Sequence, residues 1–220
     1  DANIRGANVH ANQQLDVDIA GNLNLESVQD RSNSRNTSMG VSGGASFGGS
    51  GEVSGVNGGI NSGNGMSVTR ETVLTSLTSG GTADVNVKGN TQITGALLAT
   101  INEDGSDRNQ LDFSTGSLNF TDLRNISQNT QTNAGVSANF GVGEGKTGNS
   151  REGQPTAEGA NGNTLHANTS NLTYSNTQEN SASKTLATLG HGNITVGGTQ
   201  LEKDGELTDA GKATGSPLIS

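Results

Sequence analysis

Half of this 220-residue chain, 110 residues, is glycine, asparagine, serine or threonine, and that half decides most of what the chain can fold into. All four residue types cost helix stability, glycine through backbone entropy and the others by offering the backbone competing hydrogen bonds. A helical bundle is therefore excluded. Leucine, isoleucine, valine and phenylalanine supply only 42 residues, 19% of the chain, too few to fill one deep globular core. No apolar run approaches the roughly 18 residues that a membrane-spanning helix needs.

The formal charge of −9 and the pI near 4.7 argue against a nucleic-acid grip, which needs clustered Lys and Arg to displace counterions. They argue equally against docking on anionic lipid. The chain has no cysteine, hence no disulfide framework and no thiolate chemistry. That absence is compatible with the cytosol, and it also suits a secreted chain that must stay unfolded and uncrosslinked until it is outside. The sequence begins mid-pattern at Asp1, which reads as a segment of something longer.

The apolar residues come in short alternating clusters. Leu15, Val17 and Ile19 alternate with Asp16 and Asp18, and the pairs Leu23/Leu25, Val85/Val87, Leu111/Phe113, Leu118/Phe120, Leu172/Tyr174 and Ile194/Val196 repeat the pattern. Each predicts a short strand with one buried face. Turn residues separate them at 20–22, 88–90, 114–116 and 190–193. Three segments align internally, from Leu23, from Leu118 and from Leu172, with unequal spacing. A recurring unit interrupted by insertions fits a solenoid, whose coils bury their inner faces on one another while loops leave one edge. At about twenty residues per coil, seven to nine coils are expected. On this reading Leu23, Leu25, Leu118, Phe120, Leu172 and Tyr174 all point inward from equivalent strands. Two glycine-rich stretches, about 43–65 and 141–164, read as hairpin or loop excursions, with a tight turn at Asn57-Gly58 or Asn64-Gly65 in the first and a disordered segment as the equal alternative for the second.

The stretches GNLNLESVQDRSNS, GGTADVNVKGNTQITGALLAT and KTLATLGHGNITVGG resemble the haemagglutinin-repeat region of large exoproteins secreted by two-partner systems. That family includes filamentous haemagglutinin and the CdiA-like contact-dependent growth inhibition proteins. The resemblance covers most of residues 1–200. It implies an all-β, right-handed parallel β-helix on the bacterial surface, with residues 201–220 a linker toward a further C-terminal domain. It also implies two partners, an outer-membrane transporter and a target-cell surface or receptor. The function it implies is that of a stalk or adhesive element, with delivery of a C-terminal toxin to neighbouring bacteria. A host-directed adhesin without toxin and a polysaccharide-acting β-helix enzyme are the alternatives.

No residue set supports catalysis, a cofactor or a metal. Asp16 and Asp18 lie on one strand face, which reads as a solvated exterior because no base or cation cluster is near in sequence. Glu103, Asp104 and Asp107 form an acidic turn without calcium-loop spacing. Gly145-Lys146-Thr147 ends like a phosphate loop, but Phe140 stands where its first glycine belongs. His10, His166 and His191 are isolated. Glycosylation sequons fall at Asn36, Asn119, Asn125, Asn168, Asn171 and Asn193, as chance allows in such a composition.

Overall fold

The structure, a computed structural model, describes residues 1–143, 156–158 and 164–214. Along the chain run β1 (Ala2–Arg5), β2 (Asn8–Ala11), β3 (Gln14–Ile19), β4 (Leu23–Glu26), β5 (Val28–Phe47) and β6 (Val53–Val73). Then come β7 (Ser76–Ser79), β8 (Thr82–Thr94), β9 (Leu97–Thr100), β10 (Leu111–Thr121) and β11 (Leu123–Gly143). They are followed by β12 (Thr156–Glu158), β13 (Thr164–Thr185), β14 (Thr188–Leu189), β15 (Gly192–Val196), β16 (Thr199–Lys203), β17 (Glu206–Leu207) and one short helix, α1 (Asp209–Ala213). Among the described residues the fold is all-β apart from that turn of helix. Two compact units divide it. The first holds Asp1–Ser32, Thr69–Ser127 and Ser181–Ser220; the second holds Asn33–Val68 and Gln128–Asn180.

In the first unit, parallel strands stack in three rows, four strands to a row. One row aligns Val17 with Val85, Phe113 and Ile194. The next aligns Leu25 with Ile4 on one side and Ile93, then Phe120, on the other. The third aligns Val9 with Leu77, Leu98 and Leu189. Alternation turns one side chain in two toward the middle, so Leu23, Leu25, Leu77, Val85, Ile93, Leu98, Phe113, Leu189 and Ile194 form one narrow buried cluster. Threonines fill the gaps. Thr91 and Thr115, both buried, face each other at 2.9 Å between hydroxyls. Among the described residues no buried side-chain nitrogen or oxygen lacks a hydrogen-bond partner. Four strands per row replace the expected seven to nine coils, because much of the chain goes to the second unit.

One corner explains how the chain gets there. Arg5, Glu26, Thr94 and Thr121 register with one another, so the next residues, Gly6, Ser27, Gly95 and Asp122, share one position in the stack. Gly6 and Gly95 take the left-handed conformation, φ +61° and +52°, and turn directly into the next strand through Ala7 and Ala96. At Ser27 and Asp122 the chain instead continues extended into β5 and β11, returning at Thr75 and Ala187.

The second unit contains an antiparallel sheet. Thr37 lies beside Asn64, Gly40 beside Asn61 and Gly44 beside Asn57, so β5 and β6 run back along each other. The turn is at Gly48–Glu52, where Gly48 N–H donates to the Glu52 carbonyl at 2.7 Å. The expected turn at Asn57-Gly58 or Asn64-Gly65 is therefore corrected, since both pairs lie inside β6. The first excursion is longer than 43–65, as β5 and β6 reach from Val28 to Val73. β11 follows β6, with Gly63 against Asn133 and Gly59 against Ser137, and β13 follows β11, with Thr132 bonded to Asn176 and Asn133 to Ser175. The sheet order is β12-β13-β11-β6-β5. Most of the second expected excursion, 141–164, lies outside the described residues.

Leu172 and Tyr174 stand in this sheet, 79% and 69% exposed. Their expected equivalence with Leu23 and Leu118 is thus wrong. Among the described residues the row of Leu23 and Leu118 ends at Leu118 and Phe120, while β15 and β14 continue the other two rows and bury Ile194 and Leu189 there. After β15 the parallel pairing stops: β16 pairs antiparallel with β15, and β17 with β16. Where a linker was expected from residue 201, Leu201 and Glu202 are buried and α1 begins at its Thr208 cap. The sheets are accordingly mixed, parallel in the rows and antiparallel elsewhere.

Candidate interaction surface

The sheet of the second unit has two chemically different faces. The cross-strand contacts fix which residues share a side, and strand alternation does the rest. One face carries Ser38, Gly63, Asn133 and Ser175 in one row, and Gly40, Asn61, Gly135 and Thr173 in another. Small polar side chains and glycines fill it, each asparagine leaning over a neighbouring glycine.

The opposite face is apolar. The same register sets Val41, Ile60, Val136 and Leu172 side by side across β5, β6, β11 and β13. They are 77%, 60%, 57% and 79% exposed. Met39 and Tyr174 sit in the adjoining row, and Phe47 and Val56 lie further along toward the turn. At the other end Arg35 reaches Met66, its Nη2 3.8 Å from the sulfur. Arg35 is a charged side chain that alternation puts on this face. Scattered exposed apolar residues are ordinary; a contiguous row across four strands makes this face the candidate for an interaction surface.

Sequence reasoning missed this surface. Its signal was present in Met39-x-Val41 and in Ile60, Val136 and Leu172, each flanked by Gly, Ser, Asn or Thr. The glycines between them read as loop.

The residues singled out in the sequence are not gathered into a site. Asp16 and Asp18 are exposed, as expected, on β3. Asp16 registers with Asp84 and Asp84 with Asp112, making a ladder of carboxylates on parallel strands. Partial burial, and then Asp84, lifts the Asp112 carboxyl above the ordinary carboxylate range. The acidic turn is closed on itself. Asp104 accepts from the amide and hydroxyl of Ser106, which hold its carboxyl below the ordinary range. Asp107 accepts from the amides of Asn109 and His191. His10 meets only the Thr78 hydroxyl at 2.9 Å. His191 lies 3.3 Å from Glu202, whose buried carboxylate also accepts from the Gly192 amide at 2.7 Å. No three of the described His, Asp or Glu residues are arranged to hold a metal ion. Lys146 lies outside the described residues.

Residues 1–41 match the hemagglutinin repeat. Over those residues the chain is similar to a filamentous haemagglutinin-like repeat. The match spans β1 to β4, the Ser27 corner and most of β5. No curated protein and no solved structure matches the chain. Among the described residues no helix is long and apolar enough to cross a membrane.

Proposed function

We propose that this chain is a non-catalytic segment of a large secreted surface exoprotein, and that it adheres through the apolar face of its second unit. The exposed row Val41–Ile60–Val136–Leu172 is the observation that carries the reading. The hemagglutinin repeat over residues 1–41 supports the exoprotein context. In this reading the three rows of parallel strands are a right-handed parallel β-helix, the hand that parallel crossovers nearly always take. The β-helix is the stalk and the antiparallel sheet is the contact surface. Export is through an outer-membrane transporter of a two-partner system, and the contact is made at a neighbouring cell's surface. Carriage of a C-terminal toxin rests on the resemblance alone, and no described residue bears on it.

Beads coated with the purified chain test the reading by their retention on living bacterial and epithelial cells. The double variant Ile60→Ser, Leu172→Ser is expected to lose most of the retention, while Asn61→Ser on the polar face keeps it. Equal retention by all three proteins would remove the face from the account.

A further inference from the structure

We infer that the partner of this face is the same face of a second copy of the chain, so that the adhesion is homotypic. The inference rests on the reading just given and adds its partner.

A sheet with one apolar side buries it against another layer, and two aligned sheets pack face to face about 10 Å apart. Four strands at about 4.8 Å and the nine residues from Arg35 to Gly43 at about 3.3 Å give a patch of about 550 Å². Two such patches together approach about 1,100 Å², above the roughly 1,000 Å² that a specific interface needs.

Register and charge favour self-pairing. A two-fold axis along the strands, between β6 and β11, puts β5 of one copy over β13 of the other. It keeps every cross-strand row level. Val41 then meets Leu172 of the second copy, Ile60 meets Val136, and Met39 meets Tyr174. Arg35 lies level with Gln178, so each Arg35 faces an amide and the two guanidinium groups sit at opposite edges. The interface is isologous and free of like-charge contacts. A bilayer suits the face less well. Among the described residues the sheet ends at β5 with an open edge, and unpaired backbone groups are too costly to expose to hydrocarbon.

Sedimentation equilibrium of the purified chain is expected to show a concentration-dependent dimer. Ile60→Ser with Val136→Ser removes four anchors per dimer and should weaken it about a hundredfold or more. Asn61→Ser with Ser137→Ala, on the polar face, should not change it. Circular dichroism of both variants checks that they fold. Because the chain has no cysteine, a short bismaleimide reports the geometry directly. A mixture of Val41→Cys and Leu172→Cys chains should give the mixed crosslinked dimer, and Arg35→Cys alone should give none. A chain that stays monomeric, a dimer indifferent to the apolar substitutions, or efficient Arg35→Cys self-crosslinking overturns the inference. If the monomer still binds cells through this face, the adhesive reading stands without it. If the monomer instead floats with phospholipid vesicles, lipid replaces the second copy. If coated beads bind nothing, both readings fall.

Discussion

Ser27 Oγ accepts the amide hydrogen of Thr75 at 2.7 Å and donates its own to the Gly95 carbonyl at 2.5 Å. The two residues are far apart in sequence but adjacent in the stack, where Gly6 is followed by Ala7 and Gly95 by Ala96. Asp122 does the same for the second departure, its Oδ1 accepting the Ala187 amide at 3.2 Å. At both places a short polar side chain closes the gap left where the chain exits, bonding the amide that a continuous corner would have carried.

Ser27 and Thr75 are both buried, so Ser27→Ala leaves an amide without water or partner. Urea denaturation is expected to show a loss of about 1–3 kcal/mol. Asp122 is exposed, so Asp122→Ala should cost under about 1 kcal/mol. Equal losses would mean that burial does not set the strength of the closure.

Leu25 is wholly buried and Leu172 is 79% exposed. Leu25→Ala should therefore destabilise by about 2–5 kcal/mol through a cavity in the narrow core. Leu172→Ala should fall within about 0.5 kcal/mol. Thermal melts at low concentration, where copies stay apart, make the comparison. Similar losses would return Leu172 to the core.

How much of this was legible in sequence follows from the same pair. Leu23/Leu25 and Leu118/Phe120 are correctly matched, because alternation has one solution once a neighbour of the same pattern stacks on it, here Thr91 and Ile93 of β8. Leu172/Tyr174 show the same alternation and were matched wrongly. Period two reports that a strand has two faces, but not whether an apolar face meets a core or solvent. The glycine-rich parts of β5 and β6 within 43–65 read only as a hairpin or loop excursion, because glycine weakens a strand by itself. What sustains them is non-local: Asn61 fills the space over Gly40 on one side and lies against Gly135 on the other.

Asp112 gives the fold a pH dependence of definite sign. Its carboxyl is lifted above its unfolded value, by burial first and by Asp84 second. Between the unfolded value near 3.8 and the higher folded one, the folded chain holds more protons than the unfolded chain. Stability from this group therefore falls as pH rises through that window. Asp112→Asn should raise the melting temperature at pH 7, and the gain should vanish near pH 3. A gain that persists unchanged in acid would assign it to something other than the carboxylate ladder.

Two glycines separate close packing from open space. A side chain at Gly81 would run into the Gln13 carbonyl, where β3 and β8 stack, whereas Gly49 has nothing within 4 Å. Gly81→Ala should cost about 1–3 kcal/mol and Gly49→Ala almost nothing. Urea midpoints of the two variants give the answer, and a tolerated Gly81→Ala would contradict the spacing of these rows.

The closures at Ser27 and Asp122 also bear on a chain under tension. Load passing from β4 to β7 can cross through the stack, from Ser27 to Thr75, without running through β5 and β6. Those strands are slack held in reserve. While the closure and the parallel pairs around it hold, pulling does not lengthen the molecule. Once they give way, each residue between the two anchor points can add up to about 3.5 Å of contour. Each departure from the stack is thus a stored extension, held behind one side chain: a buried hydroxyl at Ser27 and an exposed carboxylate at Asp122.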